Sequence, residues 1–132
     1  PYSSRQICDA MAFLSLSSAV ILGLRLVAAP GQRIVGTAVT LRQIRKTEAD
    51  DPKAGMVRHS ELLGGLAGEG DVVVIDVGGY TDVCSWGEVH SRRSQRNGVA
   101  GALIHGAVRD VAEILESGFP VACRGFSPVK SR

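Results

Sequence analysis

The sequence has few cysteines, few aromatic residues and little net charge, and each shortage excludes a class of protein. Its three cysteines, Cys8, Cys84 and Cys123, are far apart without a CxxC pair, so we expect neither a disulfide framework nor a zinc site. A reducing cytoplasm is therefore the predicted location. The aromatic content of 5% disfavours a stacking platform for single-stranded nucleic acid, and a net charge of +2 is too small to indicate a polyanionic partner.

The sequence also lacks an apolar run long enough to cross a membrane. The uncharged stretch from Ala10 to Leu24 follows Asp9 and is interrupted by serines. It falls short of the roughly 20 apolar residues that a spanning helix needs. We therefore expect no membrane association, and we predict that this stretch belongs to the core.

The remaining composition is that of a globular protein. The chain has 132 residues, of which 45% are hydrophobic and 21% charged. This is enough for one domain to bury a core without disulfides or metal ions. We interpret residues 1–132 as a single domain.

The first half of the chain carries signals for two helices and a strand. Ser3 and Gln6 have the spacing of a capping box, which predicts a helix. Residues 34–41 alternate between apolar and small polar side chains, which is typical of a half-exposed strand. Asp51-Pro52 predicts the start of a second helix. That helix would have His59 on its polar side and an apolar stripe of Met56, Val57, Leu62, Leu63 and Leu66.

The second half alternates strands with helices. The β-branched run of residues 72–75 predicts a strand that is buried on both faces. The order of strand, helix, strand, helix and strand predicts an α/β fold with parallel pairing. After that first strand, the predicted elements are a long turn from Asp76 to Trp86, a polar helix from Glu88 to Arg96 ending at Asn97-Gly98, a strand from Ala100 to Ile104, a helix from about Val108 to Glu116 and a strand starting at Val121.

Two acidic residues, Glu88 and Asp110, each lie where a strand has ended and a helix begins. In an open α/β sheet this is the edge at which ligands bind. Two carboxylates beside Arg109 suit a hydrated divalent cation and an anionic, oxygen-rich substrate. Acids in a first turn also stabilise a helix through its dipole, by about 0.3–1 kcal/mol each. Spacing alone leaves both interpretations open.

Other residues with chemical potential also have structural interpretations. His105 suits either a metal ligand or a hydrogen-bonded structural residue. Cys84 with His90 suits a nucleophile pair, although no third orienting group is evident. A basic helix face, suited to RNA, an acidic protein, solvent or a neighbouring subunit, comprises Arg92, Arg93 and Arg96.

Several motifs of the chain together resemble the RraA-like family. That family includes a regulator of ribonuclease activity and the 4-hydroxy-4-methyl-2-oxoglutarate aldolases, which also decarboxylate oxaloacetate. In the aldolases twenty residues separate an acid from an Arg-Asp pair, and Glu88 stands at that distance from Arg109-Asp110. The segments that carry the resemblance are Pro30–Gln32, Gly36–Thr40, Asp76–Gly79, Trp86–Glu88, Gly98–Gly101 and Gly106–Asp110.

The resemblance implies a β/β/α swivelling-domain architecture with a partly parallel central sheet. It also implies a class II pyruvate aldolase that depends on Mg²⁺ or Mn²⁺ and assembles as a homotrimer or hexamer. Asp110 would bind the metal directly, Glu88 would bind it through water, and Arg109 would bind the pyruvyl group of a small 2-oxo acid. The substrate's oxygens would lie against backbone amides of the Val83–Gly87 loop, that is, of Cys84, Ser85, Trp86 and Gly87.

The chain departs from the family pattern in two respects. His105 stands where many of the aldolases have aspartate. The family also continues with further strands, so the resemblance implies that C-terminal strands are lacking and that a neighbouring subunit supplies another acid. The alternative function is a non-catalytic, protein-binding regulator of a ribonuclease. Members of that branch commonly lack the acid after the arginine, so Asp110 favours the enzyme.

Overall fold

A computed structural model describes residues 2–17, 20–44 and 61–130 of the chain. The predicted helix start at Asp51-Pro52, with Met56, Val57 and His59, lies outside these residues. The described helices are α1 (Ser4–Phe13), α2 (Glu88–Arg96) and α3 (Val111–Ser117), with a π-helical segment at Leu62–Leu66. The strands are β1 (Arg25–Val27), β2 (Thr37–Arg42), β3 (Asp71–Asp76), β4 (Cys84–Trp86), β5 (Gly101–Val108) and β6 (Val121–Phe126).

The strands form one mixed sheet in the order β1-β6-β5-β3-β2, with β4 paired to β5. β2, β3, β5 and β6 run parallel to one another, and β4 runs parallel to β5, whereas β1 is antiparallel to β6. The fold is therefore α/β with a sheet that is partly parallel and partly antiparallel, as expected from the sequence.

The core lies on one face of this sheet. Strand register places alternate residues of β3, β5 and β6 side by side, and these pack with the π-helical segment and with Ile114 of α3. The main core residues of the strands are Val73, Ile75, Ala102, Ile104, Val121 and Cys123. On the opposite face, the row Val74, Leu103 and Ala122 is only half-buried, and Leu26 beside it is 54% exposed.

The helix boundaries follow local chemistry. Ser3 caps α1 through a complete capping box with Gln6, as predicted. The α2 helix has the predicted bounds, and Asn97 ends it before Gly98, which adopts a left-handed backbone with φ of 73°. Gly118 ends α3 in the same left-handed conformation.

The predicted core position of Ala10–Leu24 is wrong. No residue of α1 is buried, and Phe13 and Leu22 are 89% and 82% exposed. The periodicity correctly indicated an apolar face, but the core face of the sheet is filled by other elements. Leu66 is likewise 60% exposed, whereas Leu62 and Leu63 of the same predicted stripe are buried. No helix within the described ranges is long and apolar enough to span a membrane.

Three predicted boundaries are also corrected. The first strand of the parallel set begins at Thr37 rather than Ile34. The turn from Asp76 to Trp86 contains a strand, β4, because Cys84 and Trp86 pair with β5. That pairing, together with pairing of Ala107 to β6, extends β5 to Val108, so the following helix begins three residues later than predicted, at Val111.

Gly36, just before β2, allows close approach of two backbone segments. A Cβ at this position would collide with the carbonyl oxygen of Gly70 and lie 3.0 Å from Cγ2 of Val72. We expect Gly36→Ala to lower the free energy of unfolding, measured in urea, by about 1–3 kcal/mol, because the strand must shift. Gly68→Ala is the matched control, since its Cβ would meet nothing within 4 Å. Equal stabilities for the two variants would contradict this packing.

Candidate active site

Two strand–helix junctions meet at one rim of the sheet. β4 leads through Gly87 into α2, and β5 leads through Arg109 and Asp110 into α3. The two strands are parallel neighbours, so their carboxyl ends emerge together. The amide of Arg109 donates a hydrogen bond of 3.0 Å to the carbonyl of Trp86, which fastens the two junctions to each other.

Asp110 is the centre of the side-chain contacts at this rim. Its Oδ2 atom lies 3.3 Å from Nε of Arg109 and accepts the backbone N–H of Glu88 at 3.3 Å. The Arg109 and Asp110 side chains are 38% and 34% exposed, so both are open to a ligand from solvent. The structure therefore brings together Arg109, Asp110 and the N-terminus of α2.

The backbone at the two junctions is specialised for this contact. A Cβ at Gly87 would lie 2.7 Å from Oδ2 of Asp110 and 3.1 Å from Cγ of Arg109, so a larger residue would displace the site. Gly87 itself is extended, with φ of −165°, and is needed for space rather than for conformation. Asp110 has φ of 55° and is left-handed, as is Ser15 among the other described non-glycine residues. Such strain costs about 1–3 kcal/mol and is common at functional sites.

The carboxylate of Glu88 turns away from this contact. Its Oε1 atom lies 2.6 Å from Nε of Arg92, one helical turn later. Glu88 thus reaches Asp110 through its amide, and its carboxylate forms an i,i+4 ion pair. The four-residue spacing from Glu88 to Arg92 was the available signal for this pair, which the sequence interpretation missed.

A cavity of about 300 Å³ lies beside Arg109 and Asp110. Ser127 helps to shape it, because its amide donates to the carbonyl of Val108 and its hydroxyl donates to the carbonyl of Asp82. The end of β6 was not predicted as part of the site. Parallel pairing of β6 with β5 brings it there, and no local motif marks it. The lining residues are Val108, Arg109, Asp110, Phe126, Ser127 and Pro128.

The predicted substrate-binding loop is mostly buried. Cys84, Ser85 and Trp86 form β4 and are 5%, 4% and 1% exposed. The amide of Cys84 donates to the carbonyl of Val129 at 2.7 Å, and the hydroxyl of Ser85 hydrogen-bonds to the side chain of Gln43. In this conformation the Cys84 amide is therefore engaged within the protein.

Comparison with known proteins identifies the family of the chain. It matches the RraA-like family, described as Aldolase/RraA, over residues 4–132. The chain belongs to the RraA-like family. This confirms the resemblance inferred from the motifs around the acid and the Arg-Asp pair.

Individual RraA-like relatives are similar over part of their length. The chain is 38% identical over 76 residues to a Halorhodospira halophila protein named "Putative 4-hydroxy-4-methyl-2-oxoglutarate aldolase", covering 58% of this chain and 46% of that protein. It is 29% identical over 96 residues to protein DlpA of Legionella pneumophila, covering 73% of this chain and 15% of that one. The chain therefore spans less than half of these two relatives.

A solved RraA structure has the same fold. The Streptomyces coelicolor protein RraAS2, described as an unusual member of the RNase ES inhibitor RraA protein family, superposes with a TM-score of 0.79 at 25% identity. The match covers 98% of this chain and 61% of that one. The α/β architecture is thus that of an RraA protein.

The donor set at Asp110 fits a hydrated magnesium ion better than a protein-enclosed metal. No group of three or more His, Cys, Asp or Glu side chains able to hold a metal occurs in the described ranges. Mg²⁺ typically keeps several waters and binds through one or two carboxylates. The partly exposed carboxylate of Asp110 beside an open cavity suits that mode.

His105 does not line the cavity. It belongs to a row of hydrogen-bonded side chains. It lies within β5, and its Nδ1 atom is 2.7 Å from Oδ1 of Asp76 on the neighbouring strand. A carboxylate can only accept, so Nδ1 donates, and Nε2 then accepts from Nη1 of Arg124 at 3.3 Å. This arrangement matches the structural interpretation of His105.

Two further candidates lie apart from Asp110. The thiol of Cys84 is buried, and the imidazole of His90 packs against the indole of Trp86 with ring centroids 5.3 Å apart. The three arginines of the basic face are exposed on α2. They border a separate depression of about 230 Å³ together with Glu88 and Val89.

The Asp76–His105 contact predicts a dependence of stability on pH. The hydrogen bond from His105, and then that from the Gly78 amide, lower the pKa of Asp76 below its usual value. The unfolded chain then binds more protons, so the contribution is complete above about pH 4 and is lost as the pH falls through the lower, folded-state pKa. We expect the difference in unfolding free energy between wild type and Asp76→Asn to shrink as the pH is lowered from about 5 to 2.5.

The control for this measurement is Asp82→Asn, which changes an exposed aspartate in the loop after β3. If the difference in unfolding free energy between wild type and Asp76→Asn stayed constant over the whole acid range, it would show that these donors do not stabilise the Asp76 carboxylate.

Proposed function

We propose that this chain carries the site of a divalent-metal-dependent lyase. The reaction is cleavage of 4-hydroxy-2-oxo diacids to pyruvate, with decarboxylation of oxaloacetate as a companion activity. The observation that carries the proposal is that Arg109 and Asp110 line an open cavity while the α2 N-terminus contacts Asp110 through the Glu88 amide. Relatives named for 4-hydroxy-4-methyl-2-oxoglutarate aldolase activity support it.

Both reactions share one requirement. In the retro-aldol step the 4-hydroxyl group gives up its proton, C4 becomes the carbonyl carbon of the second product, and the C3–C4 bond breaks; in the decarboxylation the bond to the departing CO₂ breaks. In each case the electron pair passes to the 2-oxo group and gives the enolate of pyruvate, which is then protonated at carbon. Stabilising that developing negative charge therefore serves both substrates.

Different residues of the chain would bind the substrate and hold the metal that stabilises this charge. The guanidinium of Arg109 binds the substrate carboxylate with its planar fork of donors. Asp110 would hold the metal directly, and Glu88 would hold it through water once its carboxylate turns from Arg92, which it contacts in this structure. Mg²⁺ or Mn²⁺, when bound, supplies Lewis-acid stabilisation of the enolate. The amides of the Val83–Gly87 segment remain proposed contacts for substrate oxygens, except that of Cys84, which donates to the carbonyl of Val129 in this structure.

The second candidate is a protein-binding regulator without catalysis. It is favoured by the similarity to RraAS2 and by the basic face of α2, which suits an acidic partner surface. In either function we propose a cytoplasmic homo-oligomer, a trimer or hexamer. The exposed apolar residues of α1 support self-association, because large exposed apolar patches usually mark interfaces.

Pyruvate release from oxaloacetate separates the two candidates. We expect the full-length protein to release pyruvate with Mg²⁺ or Mn²⁺, and EDTA to abolish release. Asp110→Ala should reduce the rate to the level of metal ion in solution, because the direct ligand is removed. Glu113→Ala, which removes an exposed carboxylate from the first turn of the same helix, is the matched control and should keep full activity.

The same assay can reject the proposal. A metal-loaded protein that releases no pyruvate above the metal-only rate would favour the regulator. Full activity of Asp110→Ala would remove Asp110 from the site.

Replacement of Arg109 tests the substrate-binding role. We expect Arg109→Lys to lower kcat/KM for oxaloacetate by about 10- to 100-fold, since losing one charge-assisted hydrogen bond costs about 1.5–3 kcal/mol. Arg93→Lys on the exposed face of α2 is the control for a change of cation type. Equal kinetics for wild type and Arg109→Lys would show that the guanidinium does not grip the substrate.

A further inference from the structure

A buried hydroxyl, that of Ser91, joins two parts of the β4–α2 turn. Ser91 is 0% exposed. Its Oγ atom accepts the indole N–H of Trp86 at 2.9 Å and donates to the carbonyl of Gly87 at 3.2 Å. The hydroxyl thus uses its donor and one acceptor position, and both partners belong to the segment that leads into the site.

The Trp86 side chain is fixed by its surroundings. It is 1% exposed and stacks on Phe119, with ring centroids 6.3 Å apart. The backbone carbonyl of Trp86 accepts the amide of Arg109. An indole held in this way is a rigid support, so the hydrogen bond from its N–H locates Ser91 and, through it, the Gly87 carbonyl.

The position of Gly87 affects the contacts of Asp110 in the site. A Cβ added there would lie 2.7 Å from the Asp110 carboxylate, and the next amide, that of Glu88, donates to the same oxygen. A small displacement of the turn would therefore change the contacts of Asp110. Displacements of about 1 Å in a catalytic site can reduce rates about 100-fold.

We propose that Ser91 is a positioning residue for the site, acting through the Trp86 indole and the Gly87 carbonyl on Asp110. This role rests on the lyase function proposed above. Ser91 does not touch the cavity, so its effect is on geometry rather than on contact with substrate.

The same helix provides a matched control. Ser94 is also 0% exposed, but its Oγ atom has no hydrogen-bond partner in the described part of the chain. Ser91→Ala and Ser94→Ala therefore delete the same atom at the same burial, three residues apart. Only the first deletion removes the hydrogen bond from Trp86 and the hydroxyl bond to the Gly87 carbonyl, which then keeps only the backbone amide of Ser91 as a donor from that residue.

The first measurement follows the indole directly. Trp86 is the single tryptophan of these 132 residues, so this chain has one indole N–H resonance. We expect Ser91→Ala to shift this resonance and to accelerate its hydrogen exchange, and Ser94→Ala to leave both unchanged. An unchanged indole signal in Ser91→Ala would overturn the hydrogen bond on which the role depends.

The second measurement is kinetic. We expect Ser91→Ala to lower kcat for oxaloacetate by about 10- to 100-fold while KM changes by less than about threefold, because Arg109 still binds the substrate. Ser91→Thr, which keeps the hydroxyl, should recover most of kcat, and Ser94→Ala should match wild type. Should Ser91→Ala fail to fold, Ser91→Cys keeps the side-chain volume with only a weak hydrogen-bonding group, and a loss of kcat is expected there too.

The outcomes separate this inference from the proposed function. Absence of wild-type turnover rejects the lyase and the positioning role together. A lyase in which Ser91→Ala keeps the wild-type kcat overturns the positioning role alone, whatever the indole signal does. Equal losses in Ser91→Ala and Ser94→Ala would also overturn it, because they would indicate a general effect of a buried deletion in α2.

Discussion

The short parallel pairing of β4 with β5 is the constraint on which the site depends. Cys84 lies opposite Ala107, Trp86 lies opposite Val108, and the Trp86 carbonyl accepts the amide of Arg109. Because both strands point the same way, the chain leaves the sheet twice at the same rim. Each exit begins a helix, so the N-terminus of α2 meets the Arg-Asp pair. The Asp110 contacts and the Ser91 link depend on these few backbone bonds, and the pairing of β6 with β5 completes the cavity.

Local chemistry predicted much of this fold, and non-local pairing determined what it missed. The bounds of α2, the strand at residues 72–75 and the parallel order follow from capping, composition and alternation. The predicted burial of that strand on both faces is wrong at Val74, which is half-buried because the core lies on the opposite face. β4 has three residues, too few to show a period, and it exists because β5 lies beside it. The same pairing carries β5 past His105. The described residues of the Ala10–Leu24 stretch, most of which are exposed, show the complementary limit, because periodicity indicates an apolar face without indicating what covers it.

The site was predictable to the same extent. The position of Glu88 and Asp110 at two strand–helix junctions could be read from the sequence, and the structure brings these junctions together. The direction of the Glu88 carboxylate could not, because a local partner at i+4 competes with the distant one. The Phe126–Pro128 wall could not be found either, since only the sheet order makes it a neighbour of Arg109. The motifs thus indicated which residues form the candidate site, while the order of the strands determined how those residues are arranged.

The balance of charge at the rim is compatible with the proposed anionic substrate, although two acidic residues lie there. Glu88 and Asp110 contribute two negative charges, and Arg92 and Arg109, each in contact with one of them, contribute two positive charges. The N-terminus of α2 adds about half a positive charge, directed at Asp110 through the Glu88 amide. The rim is therefore slightly positive before any cation binds, and a divalent cation would make it strongly so. Asp110 can then serve as a ligand without repelling a dicarboxylate, because its own charge is already offset by groups that the two junctions hold in place.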